Sequence, residues 1–224
     1  MKIVHISDTH GCHKQLDFSG VEGDVLVHSG DFLTQGRDSG YQQEEFDAFI
    51  NWFEQLPFAR KILVAGNHDW YCFHQYCREV DLREPLSEKG IDYLLDSAVE
   101  IEGVHFYGAP WQPEFMNWAF NLPAESEELS RHWQAIPAET QVLITHGPAF
   151  GWQDIGSPQR RPLGCTVLRN VITHHPNIKL HLFGHIHEAY GHCEDDGRHF
   201  YNSCFIEHDT EIMPYPPTID FDRL

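Results

Sequence analysis

Short apolar runs recur along the chain, and each closes on polar or glycine-rich residues. The clearest are residues 2–7, 24–29, 61–65, 104–107, 141–145 and 179–183. They are rich in β-branched residues and too short for helices, so they predict buried strands. Between residues 41 and 56 the period changes. Phe46, Phe49, Ile50 and Phe53 make one apolar helix face, which Pro57 stops. Residues 125–136 and 166–175 read as two further helices, with Pro137 and Pro176 as stops. Residues 97–107 alternate around Gly103 and predict a hairpin. Residues 213–218 carry three prolines and predict irregular chain. Alternating strands and helices with some antiparallel pairing predict a layered α/β fold. There is no repeat, low-complexity stretch or evident linker, so residues 1–224 read as a single domain.

Composition narrows the classes. The 41% hydrophobic content of 224 residues can fill a core, and 13% aromatics argue against disorder. Fifteen basic residues against 34 acidic ones leave a net charge of −19. Such a body repels polyanions, which speaks against long nucleic acid and anionic membranes as partners. A small anionic substrate stays open, because a bound metal inverts the local field. No apolar run is long enough for a membrane span, and His5 and Asp8 interrupt any signal-like start. The six cysteines form no CxxC pair. They read as reduced thiols in a cytoplasmic protein, Cys72 and Cys77 included. A homo-oligomer is left open.

The seventeen histidines are the first chemical signal. Five apolar runs end in the same kind of residue: Asp8 and His10, then Gly30-Asp31, then Gly66-Asn67-His68-Asp69, then His146-Gly147, then Gly184-His185-Ile186-His187. Sites in open α/β sheets form beyond the carboxyl ends of strands, so these ends can converge. In extended chain, residues i and i+2 point the same way, which would pair Asp8 with His10 and His185 with His187. Oxygen and imidazole donors without thiolate suit Mn, Fe, Zn or a similar first-row ion. Seven such donors exceed one tetrahedral site and suit two ions sharing a carboxylate. Taken singly, each residue would read as a polar cap at a strand end; the ordered set points to metal.

In this order, Asp-x-His, Gly-Asp, Gly-Asn-His-Asp, His-Gly and Gly-His-x-His resemble the calcineurin-like metallophosphoesterase superfamily. Gly108-Ala109-Pro110-Trp111-Gln112-Pro113, Thr145-His146-Gly147-Pro148 and residues 183–191 look similar to its metallophosphoesterase-domain-containing, UPF0046-like branch. The resemblance implies an α/β/β/α sandwich of mixed sheets with the site at the strand C-terminal ends. It implies Asp8, His10, Asp31 and His187 around one divalent ion, and Asp31, Asn67, His146 and His185 around a second, Asp31 bridging. It makes His68 the catalytic histidine. The implied activity is hydrolysis of a small phosphate ester by a metal-bridging hydroxide, most readily a phosphodiester such as a nucleotide, cyclic ones included. Two aspartates against two divalent ions leave the site positive, which is how an acidic protein would hold a phosphate. The alternatives are a non-catalytic scaffold on the same fold, a phosphomonoesterase or a protein phosphatase.

Relatives often place an acidic residue three positions after the bridging aspartate, where it can orient the histidine. Here that position is Thr34, with Asp69 as another acidic neighbour in sequence. Arg160 and Arg161 are a basic pair that either clamps a phosphate or sits on a solvated loop. Trp111, Phe115, Trp118 and Phe120 offer a base-stacking surface, Trp111 first, or a core or dimer face. Asp154 reads as either a support for the ligands or a loop residue. His5, His28, His132, His174, His175, His181, His192, His199 and His208 read as ordinary surface or strand residues.

Overall fold

The computed structural model describes residues 1–34, 39–156, 160–207, 211–212 and 216–224. Along the chain run β1 (Lys2–Ile6), β2 (Val25–His28), α1 (Ser39–Glu54), β3 (Arg60–Leu63), α2 (Trp70–Cys77), α3 (Arg83–Ser87), β4 (Ile91–Tyr93), β5 (Ser97–Ile101) and β6 (Val104–Ala109). There follow α4 (Glu127–Gln134), β7 (Val142–Thr145), α5 (Thr166–His174), β8 (Leu180–Phe183), β9 (Gly191–Asp195), β10 (Arg198–Asn202) and β11 (Thr218–Asp220). One sheet has the order β11-β1-β2-β3-β4, parallel except for β11. The other has the order β9-β10-β8-β7-β6-β5, parallel in the middle with antiparallel strands at both edges.

Strand side chains alternate between two dry faces, because each sheet is covered on both sides. Ile3, Val25, Val27 and Ile62 of the first sheet meet Phe106, Val142, Ile144, Leu180 and Leu182 of the second in one core. The intervening positions Val4, Leu26 and Leu63 turn outward to the α1 face of Phe46, Phe49, Ile50 and Phe53. On the far side, Leu143 belongs to the same outer core as Leu129 and Trp133 of α4 and Leu168 and Ile172 of α5. The result is the expected α/β/β/α sandwich.

All six apolar runs are strands, the three helical patterns are helices, and residues 97–107 form the hairpin β5–β6. Unpredicted elements are short or polar: α2, α3, β4 and the β9–β10 hairpin, whose faces lack a clean apolar period. Thr218 opens β11, where irregular chain was expected; residues 213–215 and His208 lie outside the described residues.

Three of the extra histidines are core residues behind the strand ends. His5, His28 and His181 are fully buried. His28 accepts the Gly30 amide at Nδ1 (3.2 Å), so its Nε2–H donates to Thr9 Oγ1 (3.0 Å). Thr145 gives its hydroxyl proton to the Gly147 carbonyl (2.7 Å), so His181 Nε2–H donates to Thr145 Oγ1 (2.8 Å). Burial lowers each of the three to about 3. The unfolded chain therefore binds three more protons than the native one between about pH 6 and 3, and stability falls as the pH drops through that window. At pH 4.5 each neutral histidine should cost about 2–3 kcal/mol relative to pH 7. Urea unfolding at the two pH values checks this, and His181→Gln should show the smaller loss between them.

Candidate metal centre

Ser7, Gly30 and Gly66 leave the first sheet, and His146 and Gly184 leave the second, at one common rim. Backbone bonds lace these ends together: Asp8 N–H to Gly30 O (2.9 Å), His10 N–H to Asp31 O (3.0 Å) and Gly184 N–H to His146 O (2.9 Å). Ser7 joins the two sheets, giving its N–H to Ser203 O (3.0 Å) and accepting from Phe205 N–H (2.8 Å). A side chain on Gly66 would collide with Asp31, and one on Gly184 with Asp8, so both positions need the bare backbone.

The pairs Asp8/His10 and His185/His187 converge, but not through extended chain. Asp8 (φ 52°), His10 (φ 41°), Asp31 (φ 56°) and His185 (φ 69°) all sit in the left-handed region. Each costs roughly 1 kcal/mol or more. The tight turns aim side chains from five strand ends at one point, and straight strands would splay them.

Three groups result, each with one donor atom per residue lying within 4.8 Å of the others: Asp8 with His10 and His187, His10 with Asp31 and His68, and Asp31 with His146 and His185. Asn67 Oδ1 joins the last, 2.8 Å from His146 Nε2. Seven expected donors and His68 are thus gathered at one spot. His68 stands among the donors: its Nε2 is 3.9 Å from Asp31 Oδ2, the same distance as His10 Nε2.

The donors fit a metal. Asp8 Oδ2 is filled by Ser7 Oγ–H (2.5 Å), His185 N–H (2.9 Å) and Cys204 S–H (3.2 Å), while Oδ1 faces His187 (3.2 Å). His146 spends Nδ1–H on the Ser29 carbonyl (3.1 Å) and turns Nε2 to Asp31 Oδ2 (3.2 Å). His10 Nε2 and His187 Nε2 face each other at 3.3 Å. Two nitrogen lone pairs tolerate that spacing only with a proton or cation between them. Without a cation, protons take its place. Burial opposes the charged form of His146, but the Asp31 and Asp8 charges and the Asp31 hydrogen bond push it up to about 9. Burial likewise opposes charge on Asp8, yet the His187 bond and the nearby histidines hold it well below the usual carboxylate range. Burial and the neighbouring His146 drive His185 down to about 3.

Neither Thr34 nor Asp69 hydrogen-bonds the His68 ring. Thr34 bonds Glu45 through Oγ1 (2.6 Å) and through its N–H (3.2 Å). Asp69 is fully buried and accepts the N–H groups of Asp31 (2.9 Å), Leu33 (2.9 Å) and Gly66 (2.7 Å). The His68 ring instead lies flat on Trp118, centroids 4.2 Å apart and planes 22° apart, with His10 edge-on at 4.8 Å. Gln42, fully buried, holds the loop by donating to the Thr34 and His68 carbonyls (3.0 Å each) and accepting the Tyr71 amide (2.8 Å). Sequence reasoning grouped Trp118 with other aromatics and missed Gln42 altogether. A helix-face glutamine gives no signal of the loop it will bind.

The comparisons agree with the geometry. Residues 1–189 match the family described as calcineurin-like phosphoesterase. Metallophosphoesterase domain-containing protein 1 of Homo sapiens is 34% identical over 99% of this chain and 70% of its own length. A UPF0046 protein of Caenorhabditis elegans is 33% identical over 98% of this chain and 60% of its own. The chain belongs to the calcineurin-like phosphoesterase family. A solved structure with 16% identity and a TM-score of 0.69, covering 91% of this chain and 90% of that one, matches the fold. As a member of that family, this phosphoesterase is a hydrolase of phosphate esters.

Of the expected substrate contacts, Trp111 is withdrawn. It is 3% exposed, gives its indole N–H to Asp96 Oδ2 (2.8 Å) and stacks on His132 at 4.1 Å, a core role with its polar atom satisfied. Asp154 ties its own loop, accepting the Gly151 (2.8 Å) and Gly164 (3.0 Å) amides. Arg160 and Arg161 are exposed and line different clefts, Arg160 one with Asp154 and Tyr190, Arg161 one with His185 and Gly147. Residues 157–159 of that loop lie outside the described residues.

Two predictions follow from this geometry. Manganese titration by calorimetry should give two ions per chain, with proton release and weaker binding at pH 6 than at pH 8; Asp31→Asn should abolish both and His187→Ala one. Trp118→Leu should remove the ring-current shift from the His68 imidazole protons in NMR and lower kcat about tenfold, with Trp118→Phe retaining most of both.

Proposed function

We propose that this phosphoesterase is a dinuclear phosphodiesterase of small esters, with nucleotides, cyclic ones included, as the first class to assay. Residues 1–224 act as one domain, working in the cytoplasm with the six thiols free. The observation that carries the reading is the gathering of Asp and His donors from five strand ends in three groups, each within 4.8 Å, that are linked through His10 and Asp31. Large exposed apolar side chains, Phe115 and Leu163, stand in the cleft that His185 lines and suit a second ester arm; a bare phosphate has no use for them.

Asp8, His10, Asp31 and His187 would hold one ion, and Asp31, Asn67, His146 and His185 the other. Bound ions would supply the positive charge that draws in the phosphate and acidifies the attacking water. The rest is the work of this chain's own groups. Asp31 is held by its amide to Asp69 and takes the His68 N–H on Oδ1 (2.7 Å), which leaves Oδ2 toward the histidines. His68 turns Nε2 to the cluster and stands where it can donate a proton to the departing oxygen. Trp118 keeps the ring from rotating away by stacking on it, a task that neither Thr34 nor Asp69 performs.

A turnover panel on manganese-loaded protein should rank bis-aryl phosphates and cyclic nucleotides above mono-aryl phosphates. His68→Ala should lower kcat about 100-fold on an ester with an alkoxide leaving group, and less on a nitrophenyl ester, which departs without a proton. Metal content should stay unchanged. Equal losses on both esters would remove the proton-donor role, and a mono-aryl preference would remove the diesterase assignment.

A further inference from the structure

We propose that the β9–β10 hairpin carries a cation site of its own, apart from the candidate ligands at the rim, in which His192, His199 and Glu194 hold one zinc or similar late first-row ion across the two strands. The inference is independent of the phosphodiesterase reading, because it needs only the hairpin. His192 and Glu194 are two apart on β9, so they share a face. His192 is registered opposite Tyr201 and Glu194 opposite His199, which puts all four side chains on that face. The opposite face is spent on packing: Phe200 is fully buried and stacks on Trp152, centroids 4.0 Å apart. The histidine face is open, with His192 and Glu194 exposed and His199 and Tyr201 half-buried. Alternation of exposed and packed residues explains why a histidine stands there at all; it does not explain why two meet.

The rings already have the geometry of a chelate. His192 Nε2 and His199 Nδ1 stand 3.1 Å apart, with the ring planes only 5° from parallel. His192 lies flat on Tyr201, centroids 4.2 Å apart and planes 22° apart, which holds its orientation. Without an ion, one ring must give an N–H to the other, since two lone pairs repel at that distance. Two nitrogens bound to a tetrahedral zinc at ~2.0–2.1 Å stand about 3.3 Å apart, so the ion enters with little ring movement. The shared proton then moves to the far nitrogen of its own ring, Nδ1 of His192 or Nε2 of His199, and both facing lone pairs go to the metal. Glu194 is close enough for its carboxylate to favour positive charge at His192, and it supplies the third donor. Imidazole donors favour zinc, nickel and copper and put manganese last, so a manganese count reads the rim and a zinc count reads both places. The ion would tie the two strands just ahead of Asn202, whose Nδ2–H holds the Ile186 carbonyl (2.9 Å) between the histidines of the rim.

The test uses the full chain, dialysed to equilibrium against micromolar zinc, with bound metal counted by elemental analysis. The unaltered protein should hold one zinc more than His192→Ala or His199→Ala, whatever number the rim takes. Glu194→Gln should keep the site but weaken it about tenfold. Nitrogen NMR of the imidazoles needs no variant, and zinc should shift His192 Nε2 and His199 Nδ1 of the unaltered protein. Equal zinc counts in the unaltered protein and both alanine variants would overturn the proposal. So would His192 and His199 nitrogens that stay unmoved at saturating zinc, or an unchanged affinity in Glu194→Gln. An extra zinc held only between two copies, seen as a zinc-dependent doubling of mass in sedimentation that His192→Ala loses, would overturn the site within one chain.

Discussion

Everything at the rim depends on where Asp31 is, and Asp31 is where Asp69 puts it. One buried carboxylate takes three amides from two different strand-end loops, 2.7–2.9 Å each. Burial and the Asp31 charge push the Asp69 carboxyl well up, and the Gly66 and Leu33 amides pull against them. A group this deep, removed, would leave three buried N–H groups without acceptors, each worth roughly 1–3 kcal/mol. Asp69 is therefore the joint that fixes the distance between the loop after β2 and the loop after β3. Asp69 is adjacent to His68 in sequence, yet its carboxylate is spent on the backbone amides of Asp31, Leu33 and Gly66 and not on the His68 ring.

The rest of the rim is built from conformations that cost energy. Four donor residues occupy left-handed backbone, and two carboxylates lie within a few ångströms of five imidazoles. The sandwich beneath supplies the offsetting stability, with two layers of dry strand contacts and helices on both outer faces. The buried neutral histidines sit between the two regimes. They extend the strand ladder upward and present hydrogen-bonding edges to Ser29, Thr9 and Thr145, the residues that lead into the ligand loops.

The fold was legible because its strands are buried on both faces and its main helix has a clean apolar stripe. Short runs such as residues 25–28 have no competing reading once glycine and aspartate close them. α2 was not legible, because Trp70, Tyr71, Phe73 and Tyr76 place aromatics around the helix instead of along one side. The donor set was legible as a set, since residue type and order survive without knowing a single angle. What carries no sequence signal is relation across distance. Trp118 meets His68 only because the Ala119 amide reaches the Asn67 carbonyl (3.1 Å), and Trp111 turns inward only because Asp96 and His132 are there to receive it. The local pattern of alternating apolar residues is equally silent about left-handed turns, so the expected extended pairs came out as bends.

Asp8 owes one of its three supporting bonds to Cys204, and β1 is flanked at its open edge by β11. Both lie beyond residue 189, where the match to the family ends. The stretch that matches the family is thus not a minimal unit. A chain cut at that border would keep every donor atom and lose the Ser203 carbonyl that anchors Ser7, the thiol behind Asp8 and the strand that shields the first sheet. The tail is a backing plate: it decides whether the chemistry in front of it holds its shape.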